Sequence, residues 1–338
     1  MAENEELTED EELEPFTGEE ALALAREGKD AWNAWAEGNP GREVDFLGVD
    51  FTTEENKRIS FEGFVFPGNV TFSYAQFDTV PFERTTFYGV AEFIETNFRY
   101  TSFGEASFED EVNFITTFFD GATGFFNTTF KKSATFMGST FNGPVNLLGC
   151  WFWIPPDFRG TVFKKHVSLH GIAVDFRLSP KFADADIYRR LKEIAFTARD
   201  HDCEQLFFAY ELKAKRRFEA MDLGLISNYL YEWTSNFGRS LTLPSFLLVS
   251  TWFIFGILYR WLETANTPNH IWDGLSFSTE QLFLFLGASK GASSDSRLAL
   301  YSEAPLSIAV NALAMTEGVL GIIFIFLIGL ALRNRFRI

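Results

Sequence analysis

Glu317 is the residue in this sequence best suited to handle an ion, because it stands inside a long apolar run, Leu306–Leu332. An ionisable side chain is costly in hydrocarbon, so it normally faces a cavity or a partner group. Asn311 and Thr316 lie nearby, which makes these three the candidates to line a water-filled path. The other reading is a contact between helices that satisfies Glu317 by hydrogen bonds, with the carboxyl protonated. Gly318 follows directly and is the hinge candidate; with Gly321 and Gly329 it would allow a bend or close helix packing. A second group is Gly287-Ala288-Ser289-Lys290-Gly291. Its glycines leave the backbone free to turn, and a ring of lysines at a constriction repels cations. Alternatively, Lys290 snorkels to an outer aqueous mouth.

Catalytic chemistry finds no comparable support. His166 and His170 have a helical ligand spacing but fall in a segment that reads as β-structure. His201-Asp202-Cys203 are adjacent, and neighbours on a helix point in different directions. Cys150 and Cys203 are the two cysteines, too few for a disulfide framework and without metal-ligand spacing. No glycine fingerprint follows a strand, and no nucleophile context stands out. The expectation is a protein that is not an enzyme and uses no cofactor or metal.

The elements that must hold Glu317 and Lys290 are helices. Leu243–Leu262 carries no charge before Arg260 and is about the length that spans a bilayer, with Trp252, Tyr259 and Trp261 as interfacial anchors. Leu306–Leu332 is longer and ends in Arg333, Arg335 and Arg337. Residues 263–305 between the runs hold only Lys290 and Arg297 against five acidic residues. The positive-inside rule then puts both termini in the cytoplasm, as a multi-pass protein of the cell inner membrane. No basic region followed by an apolar core opens the chain, which agrees with that orientation. Upstream, residues 183–222 read as two helices, and Lys213, Lys215, Arg216 and Arg217 are expected to anchor to anionic headgroups; a solvated helix face is the alternative.

Between the spans, Trp272–Ala288 is apolar but too short to cross and return, as suits a re-entrant helix. Span, re-entrant helix, Gly-rich turn and span together resemble the two-transmembrane pore module of the potassium-channel superfamily. Ser235-Asn236-Phe237-Gly238-Arg239-Ser240 before Pro244, and the closing Ala331-Leu332-Arg333-Asn334-Arg335-Phe336, are similar to bacterial proteins that join soluble repeats to such a pore. The resemblance implies four copies around a central axis. It breaks at the filter, where Thr-Val-Gly-Tyr-Gly type carbonyls would replace the ion's hydration shell. This chain has Gly287–Gly291 there, with no Tyr and with Lys290 between the glycines, so potassium selectivity is not expected.

The first half of the chain is organised by phenylalanine, of which there are 41. Phe61, Phe66, Phe72, Phe77 and Phe82 begin a series of five- or six-residue steps that runs to Phe141 and continues through Leu147, Phe152, Phe158, Phe163 and Leu169. Two positions before most of them stands a small or β-branched residue, for example Val70, Ala75, Thr85, Ala91, Thr96 and Cys150. One large and one small inward residue per five suit a solenoid with short faces, not a helix stripe or a long strand. The pattern resembles the pentapeptide-repeat family, over roughly residues 46–176. That resemblance implies a right-handed quadrilateral β-helix of about six coils, roughly 30 Å long at the strand spacing, with six-residue steps at bulged corners. Glu19–Glu37, with Leu22, Leu24, Trp32 and Trp35, reads as a helix that caps the open end. Residues 1–20 hold ten acidic residues and much of the net charge of −17; such a block is expected to be disordered.

The domain reading is an acidic segment (1–18), a capping helix (19–40), the β-helix (41–178), a cytoplasmic helical linker (179–240) and a pore-like domain (241–338). The functional reading is a homo-oligomeric ion channel, anion-conducting or weakly selective, whose partners are membrane lipids, the permeating ion and a cytoplasmic protein on the rod. A membrane-anchored scaffold for protein interaction is the alternative, and a DNA-mimic topoisomerase inhibitor a more distant one; no nucleic acid is expected as a partner.

Overall fold

Strands of mostly two residues recur down the first half of the chain, because each face of a coil is only long enough for one inward pair. The computed structural model describes residues 15–175, 185–216, 223–262, 271–283, 293–301 and 306–336, in two compact units, Met1–Arg217 and Phe218–Ile338. In the first unit, parallel ladders build a β-solenoid. Val70 pairs with Ala91, Ala91 with Val112 and Val112 with Ala134, so one coil takes 21 or 22 residues. Three further ladders run through Asn97, Thr101 and Ser107 at equivalent steps.

The register decides the core. In-register parallel strands stand about 4.8 Å apart, so identical positions of successive coils lie directly over one another. Phe66, Phe87, Phe108, Phe130 and Phe152 accordingly stack with ring centroids 4.5–5.1 Å apart and planes within 6°. Neighbouring columns meet edge to face, as Phe82 does with Phe93 at 88°, an arrangement favoured by the aromatic quadrupole. The inward rings of the columns, such as Phe61, Phe72, Phe93, Phe114, Phe136 and Phe158, are wholly or almost wholly buried, which leaves no room for a pocket between them.

The small residues do more than fill gaps. Thr85, Thr96, Thr117, Thr128 and Thr161 are buried, and each hydroxyl donates to the carbonyl of a phenylalanine in the preceding coil at 2.6–2.8 Å. Ser139 bonds Phe114 O in the same way, and Cys150 puts its thiol on Phe125 O. These side chains are satisfied inside an apolar core, as buried polar groups must be. The corners are as specific. Tyr74, Glu95, Thr116 and Gly138 stand one per coil with φ of 63°, 53°, 56° and 71°. In the six-residue step after Phe141, a Cβ on Gly143 would fall 2.1 Å from Gly121 O.

Both ends of the solenoid are covered. At the start, the expected single helix is two, α1 (Gly18–Glu27) and α2 (Lys29–Gly38), because Gly28 between them takes φ 95°. Trp32 on α2 stacks over Phe64 and donates Nε1–H to Val65 O at 2.9 Å. Asn33 imitates a strand there: its Oδ1 accepts from Val65 N and its Nδ2 donates to Gly63 O. At the far end, α3 (Ala185–Thr197) and α4 (His201–Lys215) form a hairpin. Tyr188, Leu191, Ile194 and Phe207 from it join the same core as the stacked rings, and the Arg190 guanidinium donates to Phe158 O and Thr161 O. Part of the expected linker is therefore a cap. Glu211 is buried in that hairpin against Lys192, Lys215 and Arg189, at 2.5, 2.8 and 3.3 Å. Burial raises its affinity for a proton, but the bonds from Lys192 and Lys215 outweigh this and hold its carboxyl below the ordinary value.

Phe114→Ala should destabilise the full-length protein by about 3–5 kcal/mol, and Thr117→Val by about 1 kcal/mol through a lost hydrogen bond; denaturant midpoints of the solenoid transition measure both. The depressed Glu211 carboxyl adds stability above its unfolded pKa, and that stability is lost as pH falls through the folded value. Acidification from neutrality should therefore destabilise the wild type more than Glu211→Gln. Equal losses in thermal scans would show that Glu211 does not carry the effect.

Candidate functional site

The second unit contains α5 (Leu223–Ser235), α6 (Thr242–Trp261), α7 (Ile271–Leu282), α8 (Ser293–Tyr301) and α9 (Ile308–Arg335). The expected spans thus appear as α6 and α9, which are long and apolar enough to cross a membrane. Both leave large apolar side chains exposed, among them Phe246, Ile254, Met315 and Phe326. The expected re-entrant segment contains α7, a helix of 12 residues, roughly 18 Å long.

α7 is held against the interior of both long helices. A Cβ on Gly274 would lie 2.2 Å from Gly256 O, so α6 and α7 approach as closely as backbones allow. Trp252, midway along α6, directs its indole N–H at Leu275 O and Thr279 Oγ1 (3.1 and 2.8 Å). Ser278 Oγ lies 2.8 Å from Trp252 O and also bonds Glu317 Oε1 on α9. Tyr259 on α6 donates its hydroxyl to Glu317 Oε2 at 2.8 Å. Glu317 and Ser278 are both fully buried. One carboxylate thereby ties α6, α7 and α9 together.

A further layer was not foreseen from the sequence. α8 closes over the network: Tyr301 OH donates to Tyr259 O at 3.1 Å, and Ser296 Oγ donates to the buried Glu280 on α7 at 2.7 Å. Phe277 sits edge-on between Tyr259 and Tyr301. The signal for this was the polar triplet Ser278-Thr279-Glu280 inside an otherwise apolar stretch.

The sequence candidates separate accordingly. Asn311 and Thr316 lie on the exposed face of α9, together with Met315 and Val319. Glu317 does not share that face. Its carboxylate points the opposite way, into α6 and α7, so within the chain it makes the hydrogen-bonded helix contact and does not line an open surface. Gly318 is no break: α9 runs through it continuously, and a Cβ there would meet only Gln281 O at 3.5 Å. Gly321 is the tighter position, 2.7 Å from Leu282 O by the same construction. Of the interfacial anchors, Tyr259 is buried in the network and Trp252 bonds α7, while Trp261 is exposed. Gly287, Ala288, Ser289, Lys290, Gly291 and Arg217 lie outside the described residues. Lys213, Lys215 and Arg216 stand at the end of α4, where Lys215 pairs with Glu211 at 2.8 Å. His201 pairs with Glu204, and burial pushes the Cys203 thiol up to about 12, with Asp200 adding to the shift. That thiol is not a nucleophile near neutral pH.

Glu317→Ala would leave Tyr259 and Ser278 facing a lost acceptor and should cost about 1–3 kcal/mol per stranded group. Asn311→Ala and Thr316→Ala, on the exposed face, should stay within about 0.5 kcal/mol. Apparent melting temperatures of the full chain in detergent distinguish the two classes.

Residues 125–172 match the family model described as pentapeptide repeats (9 copies). No curated protein matches the chain. The chain therefore contains pentapeptide repeats built as a parallel β-solenoid, followed by a helical region with two helices long and apolar enough to span a membrane.

Proposed function

We propose that this chain is the subunit of a homo-oligomeric membrane ion channel, with the repeat rod in the cytoplasm and conduction that is anionic or weakly selective. The observation that carries the reading is the level at which α7 is held. It bonds Trp252 midway along α6 and Glu317 well inside α9. If α6 and α9 cross a bilayer, α7 then lies at membrane depth, where a short helix is tolerated only when it is buried in protein or lines a water-filled path. A plain anchor needs neither such a helix nor a buried carboxylate to hold it.

The reading includes oligomerisation, and the same geometry supports it. One hairpin cannot enclose a pore. Asn311 and Thr316 lie on the open face of an otherwise apolar helix, and polar groups at such positions favour facing other helices or water over lipid. The pore-module resemblance implies a tetramer. The charge pattern supports cytoplasmic termini, and Lys290 between two glycines argues against cation selectivity.

Purified protein in planar bilayers should conduct, with a reversal potential in asymmetric KCl on the chloride side of zero or near zero. Lys290→Glu should move that potential toward the potassium value, and Thr316→Val should change unitary conductance. Lack of current over a wide range of voltage and pH, or a monomer by mass measurement in both detergent and nanodiscs, would sink the channel and leave a membrane-anchored repeat protein.

A further inference from the structure

We infer that α5 is a membrane-surface helix, its apolar stripe embedded at the headgroup–acyl boundary on the side where α6 begins and α9 ends. The inference rests on the reading of α6 and α9 as membrane spans, and adds a lipid contact that neither span provides.

The stripe is set by sequence spacing. Leu223, Ile226, Leu230 and Trp233 follow one another at three, four and three residues, which places them on one side of a helix. They are 83%, 56%, 55% and 83% exposed. Tyr229, half exposed, borders them. An uncovered stripe of that kind requires an occupant.

The occupant is indicated by where α5 is fixed. Asn236, Phe237 and Gly238 adopt φ of 47°, 58° and 76° in succession, a left-handed elbow between α5 and α6. The conformation is costly for a bulky residue such as Phe237, and burial sustains it. Phe237 is 2% exposed, and Tyr231 of α5 packs edge-on against it. Gly238 N–H donates to Ser235 Oγ at 3.1 Å, Ser240 N–H donates to Ser235 O at 3.0 Å, and Asn334 Nδ2 of α9 donates to Gly238 O at 3.2 Å. A Cβ on Gly238 would come within 2.9 Å of Tyr231 OH and 3.1 Å of Leu330 Cδ2. The elbow is therefore clamped beside Asn334, just beyond the last apolar residues of α9.

That point marks the polar edge of the span. Arg333 and Arg335 are exposed on α9 there, and Arg239 is exposed on the elbow itself. α5 thus departs at the level of a cationic rim with its apolar stripe uncovered. An apolar stripe bearing Trp and Tyr, with arginines at the same depth, has the composition that partitions into the boundary between headgroups and acyl chains. The stripe also continues the apolar character of the neighbouring spans, which an aqueous protein partner would not require.

Spin labels on cysteines introduced at Ile226, Leu230, Asn228 and Phe253 in the full chain, reconstituted in phosphatidylcholine–phosphatidylglycerol vesicles, test this. Cys150 and Cys203 are buried, and labelling of the unsubstituted chain measures the background. Labels at 226 and 230 should show a severalfold higher ratio of collisions with oxygen to collisions with a water-soluble nickel chelate than the label at 228. If Phe253 reports lipid while 226 and 230 match 228, α5 lies in water and the inference is overturned, with the spans intact. If 226 and 230 are shielded from both reagents, protein covers the stripe, and the inference is again overturned. Chelate access at Phe253 would instead refute the membrane reading on which the inference rests.

Discussion

Every buried backbone N–H and C=O must find a partner, and both units of this protein are solutions to that demand. In the solenoid, each coil supplies the partners for the next, which forces parallel registration, at a step of 21 or 22 residues from Val65 onward. Registration then dictates the aromatic columns. Rings held by strands about 4.8 Å apart have little choice but to stack, and the edge-to-face contacts between columns follow from the square arrangement. The buried hydroxyls of Thr85 to Thr161 obey the same rule, taking the second lone pairs of phenylalanine carbonyls that already accept the N–H three residues on in the turn, as Phe61 O does from Phe64 and Phe136 O from Ser139.

The rule also explains the caps. A solenoid's terminal coil exposes unpaired strand groups and a floor of aromatic rings. Trp32 and Asn33 satisfy the first coil with side-chain atoms, and Arg190 does so at the last. Each end therefore combines an apolar lid with a few polar atoms aimed at particular backbone groups. The repeat-family match covers only residues 125–172, although the ladders begin at Phe16, which pairs with Val44, and reach Val174. Geometry extends further than the recognisable pattern because stacking needs only one large and one small inward residue per face, in a register that side-chain identity can vary around.

In the helical unit the demand falls on Glu317. Its carboxylate accepts from α6 and α7 at once, and Gly256 against Gly274 brings those two helices close enough for Trp252 to reach α7 as well. The result is a short helix packed along α6 from its last turn, at Arg260, to its middle, at Trp252. That placement supports a pore reading more directly than charge at mid-span does, since the same carboxylate on the open face of α9 would speak only for a wet surface. The opposite face, with Asn311 and Thr316, is exposed.

The sequence by itself was sufficient for the repeat, its five- and six-residue steps and the two apolar runs, because these depend on periodicity, length and hydropathy carried by consecutive residues. It also marked Glu317 as exceptional. It did not reveal which way Glu317 faces, since Asn311 and Thr316, close in sequence, lie on the other side of the helix. Nor did it reveal that Ser278 and Tyr259, 39 and 58 residues before Glu317, would be its partners. The break at Gly28, the use of α3 and α4 as a lid, and the clamp on Gly238 were equally hidden. Each is a contact between residues distant in the chain, and only the packed structure brings a hydroxyl, a carbonyl or an arginine to the group that needs it.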